Sequence, residues 1–557
     1  MRGINIEIKF FQGEGAFMKL LKYLVSCFIL MVVTFGCGQE KENSANVSKS
    51  NVLNVAHDIE LASLDTGVAT DGYSFDAIAM MIEGLTTTDK DGNVVLALAD
   101  SYEVSKDGKT YIFNLKDANW SNGTPVTAKD FVFAIKRVAD PKTGSEYNYM
   151  VDIAGIKNAR DVMTGKKSPD ELGVTALSDK KLKIELDTPV PYFLSLMTFP
   201  TFYPINEDFY NQQKGEYGLG PDKILANGPF KLQTWEQGSG YEVVKNETYY
   251  NKDKVKLDGI NVRVVKDPQA ALVAYQQGDI DCMRLNGELV EQFMDSPDMM
   301  NTLGGFLWYI SVNHRVKGLD NENMRRALAL SYNKDQIAKN ILKDGSIAAN
   351  FVVPKELSTG VDGKDFRDTA PEYLKTDKEA AKKYYEMAKK ELGQDNFSFE
   401  LLFEDTEASK KVAEFLKSEI ESNLEGVTIT LKQVPKKERL ALIRTGKYDL
   451  GLTRWGPDYA DPTTYLELWV TGNGSNKAGW QSPEYDKLLY RIQKGDLVQD
   501  LAKRWEAMKE AEKMLMDQVV IMPVYQTGAA ELIKPNVTGI IHHSVGVPTD
   551  YSVTEKK

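Results

Sequence analysis

Histidine and cysteine are scarce in this sequence: 557 residues include four histidines and three cysteines. Only His542 and His543 lie near each other, so no HExxH-type spacing is available to hold zinc. Cys27 and Cys37 fall in an apolar amino-terminal run, which leaves Cys282 alone in the body and excludes a disulfide framework. Neither a GxxxxGK[ST] phosphate loop nor a GxSxG nucleophile elbow occurs. Positive charge is also in deficit, with a formal net charge of -12. That argues against a nucleic-acid partner, because affinity for phosphates comes largely from Lys and Arg. The string DKDGN, Asp89 to Asn93, resembles a calcium loop only faintly, since its glycine comes fourth instead of sixth, and it reads as a hairpin turn. No metal and no cofactor is expected.

What is present begins with a charged and then apolar leader. Lys19 and Lys22 follow Met18 and precede an apolar run from Leu24 to Phe35, too short to span a bilayer as a stable helix. The run ends at Gly36-Cys37 and resembles a bacterial lipoprotein signal, which implies lipid on Cys37 as the first mature residue. Thr34 and Phe35 depart from that pattern, which prefers an aliphatic and a small residue. Residues 1–17 precede Met18, the better-placed initiator. Residues 38–50, rich in Ser, Asn, Glu and Lys, read as a flexible tether. The alternative, a buried helix over 24–36, lacks an amphipathic face.

The body has ordinary globular composition, 42% hydrophobic and 27% charged, and enough length for two or three domains. Asn51 to Asp58 begins a strand, and the following segment predicts a helix with Ile78, Met81, Ile82 and Leu85 on one side. Two strands flank Lys106-Asp107-Gly108, with Tyr111, Phe113 and Leu115 alternating inward. Thr127 is a candidate N-cap for the helix of TAKDFVFAIKRVAD. KKLKIELDTPVPYFLSLM runs from strand through a proline-punctuated turn into helix. Further on, FSFELLFED, TEASKKVAEFLKSEIESNL, VTITLKQV, KKERLALIRTG and YDLGLTRW form a β-α-β-α-β series, with Val412, Phe415, Leu416 and Ile420 as one core stripe.

Just beyond that last strand lies RWGPDYADP, Arg454 to Pro462. Two prolines and a glycine make it a loop whose shape is set by its own sequence, placed where open α/β sheets present ligands. Asp458 and Asp461 are open to several readings: a metal site, an acid/base pair, a partner for a ligand cation, or turn capping.

Several blocks in one order resemble a known family. DANWSNGTPVTAKDFVFAIKRVADPKTGS, LGVTALSDKKLKIELDTPVPYFLSLM, ILANGPFKLQTWEQGSGYEVVKNETYYNKDKVKLDGI, MRRALALSYNKDQIAKNIL and RWGPDYADP are together similar to the oligopeptide-binding proteins of bacterial ABC importers, the extracellular solute-binding family 5. The resemblance runs from about Asn51 onward. It implies an α/β, periplasmic-binding-protein-like fold: two lobes joined by a hinge, with an extra α/β domain. The expected boundaries are signal 1–37, tether 38–50, lobe I in three parts (51–85, 191–285 and 511–557), extra domain 86–190 and lobe II 286–510.

It also implies that Asp458 pairs with a peptide's α-ammonium, with Trp455 and the prolines as a rigid wall and Gly456 and Tyr459 in the same contact loop. The peptide main chain is expected to add as a strand against Gly456 and Gly67-Val68. Tyr147 and Tyr149 lie in a cleft-lining block, and which of them faces a ligand stays open. Arg454 either meets a peptide carboxylate or covers Trp455 by stacking. Asp461 is read as a turn or helix cap before PTTYLELW, and Asn227 to Phe230 as shaping the return into the first lobe. The partners implied are oligopeptides, permease subunits with cytoplasmic ATPases and, through lipid, the outer face of a membrane. The chain is expected to be monomeric, extracytoplasmic and not an enzyme. The rivals are the same fold binding a signalling peptide, a haem-like or a nickel complex, and a secreted hydrolase using Asp458 and Asp461.

Overall fold

The computed structural model describes residues 51–285 and 287–557. The expected signal run, Cys37 and the tether lie outside the described residues. Among the described residues no helix is long and apolar enough to cross a membrane, and no cluster of His, Cys, Asp and Glu could hold a metal ion.

One mixed eleven-stranded sheet organises the fold. Its order is Val427–Val434, Phe397–Glu404, Leu450–Trp455, Met299–Val312, Ile521–Ile533, Cys282–Leu285, Val52–His57, Gly259–Val264, Gly240–Lys245 and Phe230–Glu236, with the short Ile347–Ala348 also pairing to Ile521–Ile533. Two large apolar cores lie along it. The first contains Leu53, Ile78, Phe131, Phe230 and Ile260. The second contains Ile310, Leu328, Phe399, Leu416, Leu450 and Leu515. Val55 packs in the first core while its neighbour Ala56 joins a smaller cluster with Leu272, Met283, Leu289 and Leu532, because successive strand residues face opposite sides of the sheet.

Met299–Val312 and Ile521–Ile533 run between the small cluster and the second core. Met299, Ala530 and Leu532 pack in the small cluster, whereas Leu307 to Ile310 and Ile521 to Met522 belong to the second core. The register breaks between Leu303↔Gly528 and Leu307↔Gln526, so Gly304, Gly305 and Phe306 stand opposite Thr527 alone. This is a bulge, a place where a strand bends. Gly528 must be glycine here, since a Cβ would overlap the backbone of Gly345. The irregularity thus spans residues 304–306 on one strand and residue 527 on the other. Leu289 and Val290 pack in the small cluster, and Ala507, Met508 and Leu515 pack in the second core.

A separate four-stranded sheet is ordered Ala99–Val104, Thr110–Leu115, Lys181–Glu185 and Val174–Ser178. Tyr111, Phe113 and Leu115 alternate inward as their spacing predicts. Helix Ala128–Ala139 covers the sheet with Phe131, Ile135 and Val138, and Asp130 closes its first turn by accepting from the Thr127 N–H (2.8 Å). These residues are continuous with the first core and form no core of their own. At Asp89 to Asn93 the Asp89 carboxylate accepts from the N–H of Asp91 and Asn93, 2.9 and 2.8 Å, closing the hairpin between Thr86–Thr88 and Val94–Leu96.

Two expected helical stripes shift. Helix Gly72–Met81 stops before Ile82 and Leu85, because the Met81 carbonyl accepts from the N–H groups of Asn227 and Gly228 (3.0 and 2.8 Å) and Asn227 Oδ1 accepts from the Glu83 N–H (2.8 Å). On helix Glu407–Asn423, Val412, Leu416 and Ile420 are buried, but the fourth buried apolar residue is Ala413, with Phe415 half-buried.

Candidate functional site

Strand Leu450–Trp455 lies between two long partners, parallel to Phe397–Glu404 and antiparallel to Met299–Val312. Its carboxyl end delivers the 456–462 loop beside the bulge. The strand runs further than the prolines alone suggest, through Arg454 and Trp455, because Trp308 and Leu307 supply ladder partners for both.

The loop is fixed at three points. Pro457 sits on the bulge: a Cβ on Gly305 would lie 2.6 Å from Pro457 Cγ. Tyr465, buried in the second core, donates its hydroxyl to the Gly305 carbonyl. Asp461 accepts both Arg504 guanidinium nitrogens, 2.6 and 2.9 Å, with the pair almost fully buried, and also takes the Thr463 N–H (3.0 Å). The capping expected of Asp461 is therefore present, and the missed feature is the cation that neutralises it. That pairing opposes an acid/base role with Asp458.

Asp458 is different. Its backbone N–H donates to Thr464 Oγ1 (3.1 Å), and its carboxylate takes one hydrogen bond, from the Tyr149 hydroxyl at 3.3 Å. No Lys, Arg or His pairs with it among the described residues. Burial pushes its pKa up to about 6, and the Tyr149 hydrogen bond offsets this only in part. Tyr147 stands beside Tyr149, ring centres 5.6 Å apart, and packs on Phe199 at 5.2 Å and Phe75 at 5.6 Å. Both hydroxyls are held above the usual tyrosine pKa, chiefly by burial and then by the Asp458 charge. The sequence left the two tyrosines equivalent; Tyr149 is the one bonded to Asp458.

Arg454 does not stack on Trp455. Adjacent strand residues point to opposite faces, so its guanidinium lies over Phe306 (4.7 Å) and Trp308 (5.5 Å) instead. Gly456 is required by the same ring, since a Cβ there would come within 2.8 Å of Phe306 Cζ. Trp455 carries a shielded indole N–H with no hydrogen-bond partner among the described residues.

Tyr459, expected in the contact set, is 1% exposed. Its ring stacks on Tyr192 (3.9 Å, 7°) in the first core, while Ser195 Oγ accepts the next residue's N–H at 3.0 Å. Tyr459 thus anchors the loop to the first core and presents no face to a ligand. Val68 is 37% exposed, and its N–H is already donated to the Asp65 carbonyl (3.1 Å). That turn is braced by the Asp65–Arg137 ion pair, both contacts 2.6 Å, so it can offer an incoming chain a carbonyl but not the Val68 N–H. Phe306 was missed, although two glycines in an otherwise apolar run, LGGFLW, are a bulge signal.

The family model described as bacterial extracellular solute-binding proteins, family 5 Middle, matches residues 93–477, well over half of the chain. The chain belongs to this family. It is 35% identical over 535 residues to a protein named dipeptide-binding protein from Lactococcus lactis subsp. cremoris, covering 93% of this chain and 96% of that one. Among solved structures it resembles Listeria monocytogenes OppA bound to peptide, at 35% identity and TM-score 0.71, over 92% of this chain and 100% of the other. It also resembles the murein tripeptide binding protein MppA, at 26% identity. The unliganded open form of MppA matches with TM-score 0.79 over 91% and 98% of the two chains, and a second MppA structure with 0.71 over 91% and 99%.

Proposed function

We propose that this protein captures oligopeptides outside the cytoplasm and delivers them to an ABC transporter permease. The observation that carries the reading is Asp458: a carboxylate partly drawn out of water, held by a rigid loop, hydrogen-bonded by Tyr149 and paired with no cation among the described residues. A desolvated anion is unfavourable unless a cation and hydrogen bonds compensate it, and a peptide's α-ammonium supplies both. The names of the relatives, dipeptide- and oligopeptide-binding proteins, support the same ligand class.

Each core with its flanking helices forms a lobe in this reading, and the bulge at 304–306 and 526–528 is the hinge. The ligand loop rests on that bulge through Pro457 and Tyr465, so a peptide drawn to Asp458 acts directly on the hinge. That the unliganded form of MppA is described as open supports a closing motion on binding. A hydrolase would need Asp461 as a second working carboxylate, and Arg504 already occupies it.

Lipid on Cys37 would hold the monomeric protein at the outer membrane face near its permease. Diacylglyceryl modification provides the two chains that stable anchoring needs. Labelled palmitate should enter the wild type and not Cys37→Ser. Ligand class is tested by incubating purified protein with a peptide mixture and identifying the retained species by mass spectrometry. Intact peptides are expected. Cleaved products would favour the hydrolase, and nothing retained would refute peptide capture.

A further inference from the structure

The loop that carries Asp458 is held by both cores. Its two ends pack with the second core, through Trp455 before it and Tyr465 after it, yet Tyr459 between them is a member of the first. The residue that takes it there is Tyr192, which precedes the short helix Phe193–Leu196. The two rings lie face to face, 3.9 Å apart and 7° from parallel, and three residues further on Ser195 Oγ accepts the Ala460 N–H at 3.0 Å. Tyr192 does more than fill the core: Phe193 and Leu196 are fully buried, whereas Tyr192 is half-buried and borders a groove with Glu467 and Gln493. From the other side, the Tyr459 hydroxyl meets Thr463 Oγ1 at 3.2 Å, Thr463 donates to Asp461 at 2.6 Å, and Asp461 is locked by Arg504. The Tyr192 stack is one end of a continuous chain of contacts that fixes residues 459–461, immediately after Asp458.

We infer that Tyr192 is a positioning residue for ammonium recognition: by holding Tyr459, and with Ser195 holding Ala460, it fixes the backbone from which Asp458 projects. The inference rests on the peptide reading above. Two other restraints act on Asp458, the Thr464 hydroxyl on its backbone N–H at 3.1 Å and the Tyr149 hydroxyl on its carboxylate at 3.3 Å. The second is long and does not by itself define where the carboxylate stands. An anion fixed before the ligand arrives binds an ammonium more tightly than a mobile one, because the cost of ordering it is not subtracted from the contact. The restraint from Tyr192 and Ser195 comes from the first core and the loop's ends from the second, so a movement of one core against the other redirects the carboxylate. Ammonium capture is thereby tied to the relation between the cores.

The test is calorimetry with one peptide, free and N-acetylated, titrated into wild type, Tyr192→Leu, Tyr192→Phe and Ser195→Ala. Tyr192→Leu should weaken the free peptide about three- to tenfold, the range for loss of one aromatic stack. The acetylated peptide, which does not use Asp458, should stay within about twofold of its wild-type affinity. Tyr192→Phe keeps the stack and should behave as wild type. Ser195→Ala should show the same selective loss as Tyr192→Leu, and it carries the test if Tyr192→Leu does not fold. A loosened loop also admits water to Asp458, and burial is what holds that carboxyl above its ordinary range. The acid limb of free-peptide affinity should therefore move to lower pH in the variants that show the loss. An equal loss for both peptides, no loss for either, or an acid limb that stays in place overturns the inference and leaves the ammonium reading standing. Acetylation without effect in wild type refutes the ammonium site itself, and the inference with it.

Discussion

Removing the Asp458 carboxylate and blocking a peptide's amino group should be redundant perturbations, since each destroys the same ion pair. Truncating one partner of a desolvated, hydrogen-bonded charge pair costs about 2–5 kcal/mol. Asp458 is half-buried, and its pKa of about 6 reports partial withdrawal from water. The lower part of that range applies, about 2–3 kcal/mol, or roughly 1.5–2 decades in Kd. Asp458→Ala also strands the Tyr149 hydroxyl, which adds up to about 1 kcal/mol, so Asp458→Asn is the cleaner variant. Isothermal titration of free and N-acetylated peptide into wild type and Asp458→Asn, after stripping any co-purified ligand, gives the four corners of a cycle. Each single change should weaken binding by those 1.5–2 decades, and the second change should then add almost nothing. If the two penalties simply add, the ammonium has another partner and the reasoning fails.

Three further outcomes follow from the same geometry. Because burial raises the Asp458 pKa to about 6 and an ammonium requires the ionised carboxylate, affinity should be greatest near pH 7 and fall about tenfold per unit below pH 6; affinity unchanged at pH 4.5 would contradict this. Arg504→Ala leaves Asp461 as an unpaired buried anion and should cost about 3–5 kcal/mol in denaturant unfolding, whereas replacing both partners with apolar residues should cost less; equal losses would show that the charge pair is not what holds the loop. At the bulge, a Cβ on Gly305 would run first into the Ser544 carbonyl and then into Pro457, so Gly305→Ala should impair peptide binding, while Gly304→Ala, whose Cβ would meet nothing closer than 3.4 Å, should be tolerated; the reverse order would refute the tight packing of the bulge against the loop.

Local order was legible in the sequence wherever it depends on near neighbours. Alternation at Tyr111, Phe113 and Leu115, the Thr127 cap, the Asp89 turn and the alternating strands and helices from Phe397 to Trp455 all follow from spacing and turn chemistry. The position of the Asp458 loop at a strand end was legible for the same reason. Long-range pairing was not. Arg454 finds Phe306 and Trp308 only because the antiparallel register sets Trp308 opposite Arg454. Asp461 and Arg504 are 43 positions apart, with nothing in either local sequence to connect them. Tyr459 reads as a loop aromatic until Tyr192, from a distant segment, takes its ring. The crossing strand Met299–Val312 was missed because MMNTLGGF shows no alternation: a strand whose two halves serve different cores has no single buried face to advertise.

The central claim, that Asp458 receives the ligand's ammonium, is tested most directly by a crystal structure with an unmodified tripeptide. The account predicts the peptide nitrogen about 2.7–2.9 Å from an Asp458 carboxylate oxygen, the distance of a charge-assisted N–H···O contact, with Tyr149 still donating to the same group. A bound peptide whose amino terminus lies elsewhere, leaving Asp458 to water or to a side chain of this protein, would contradict it.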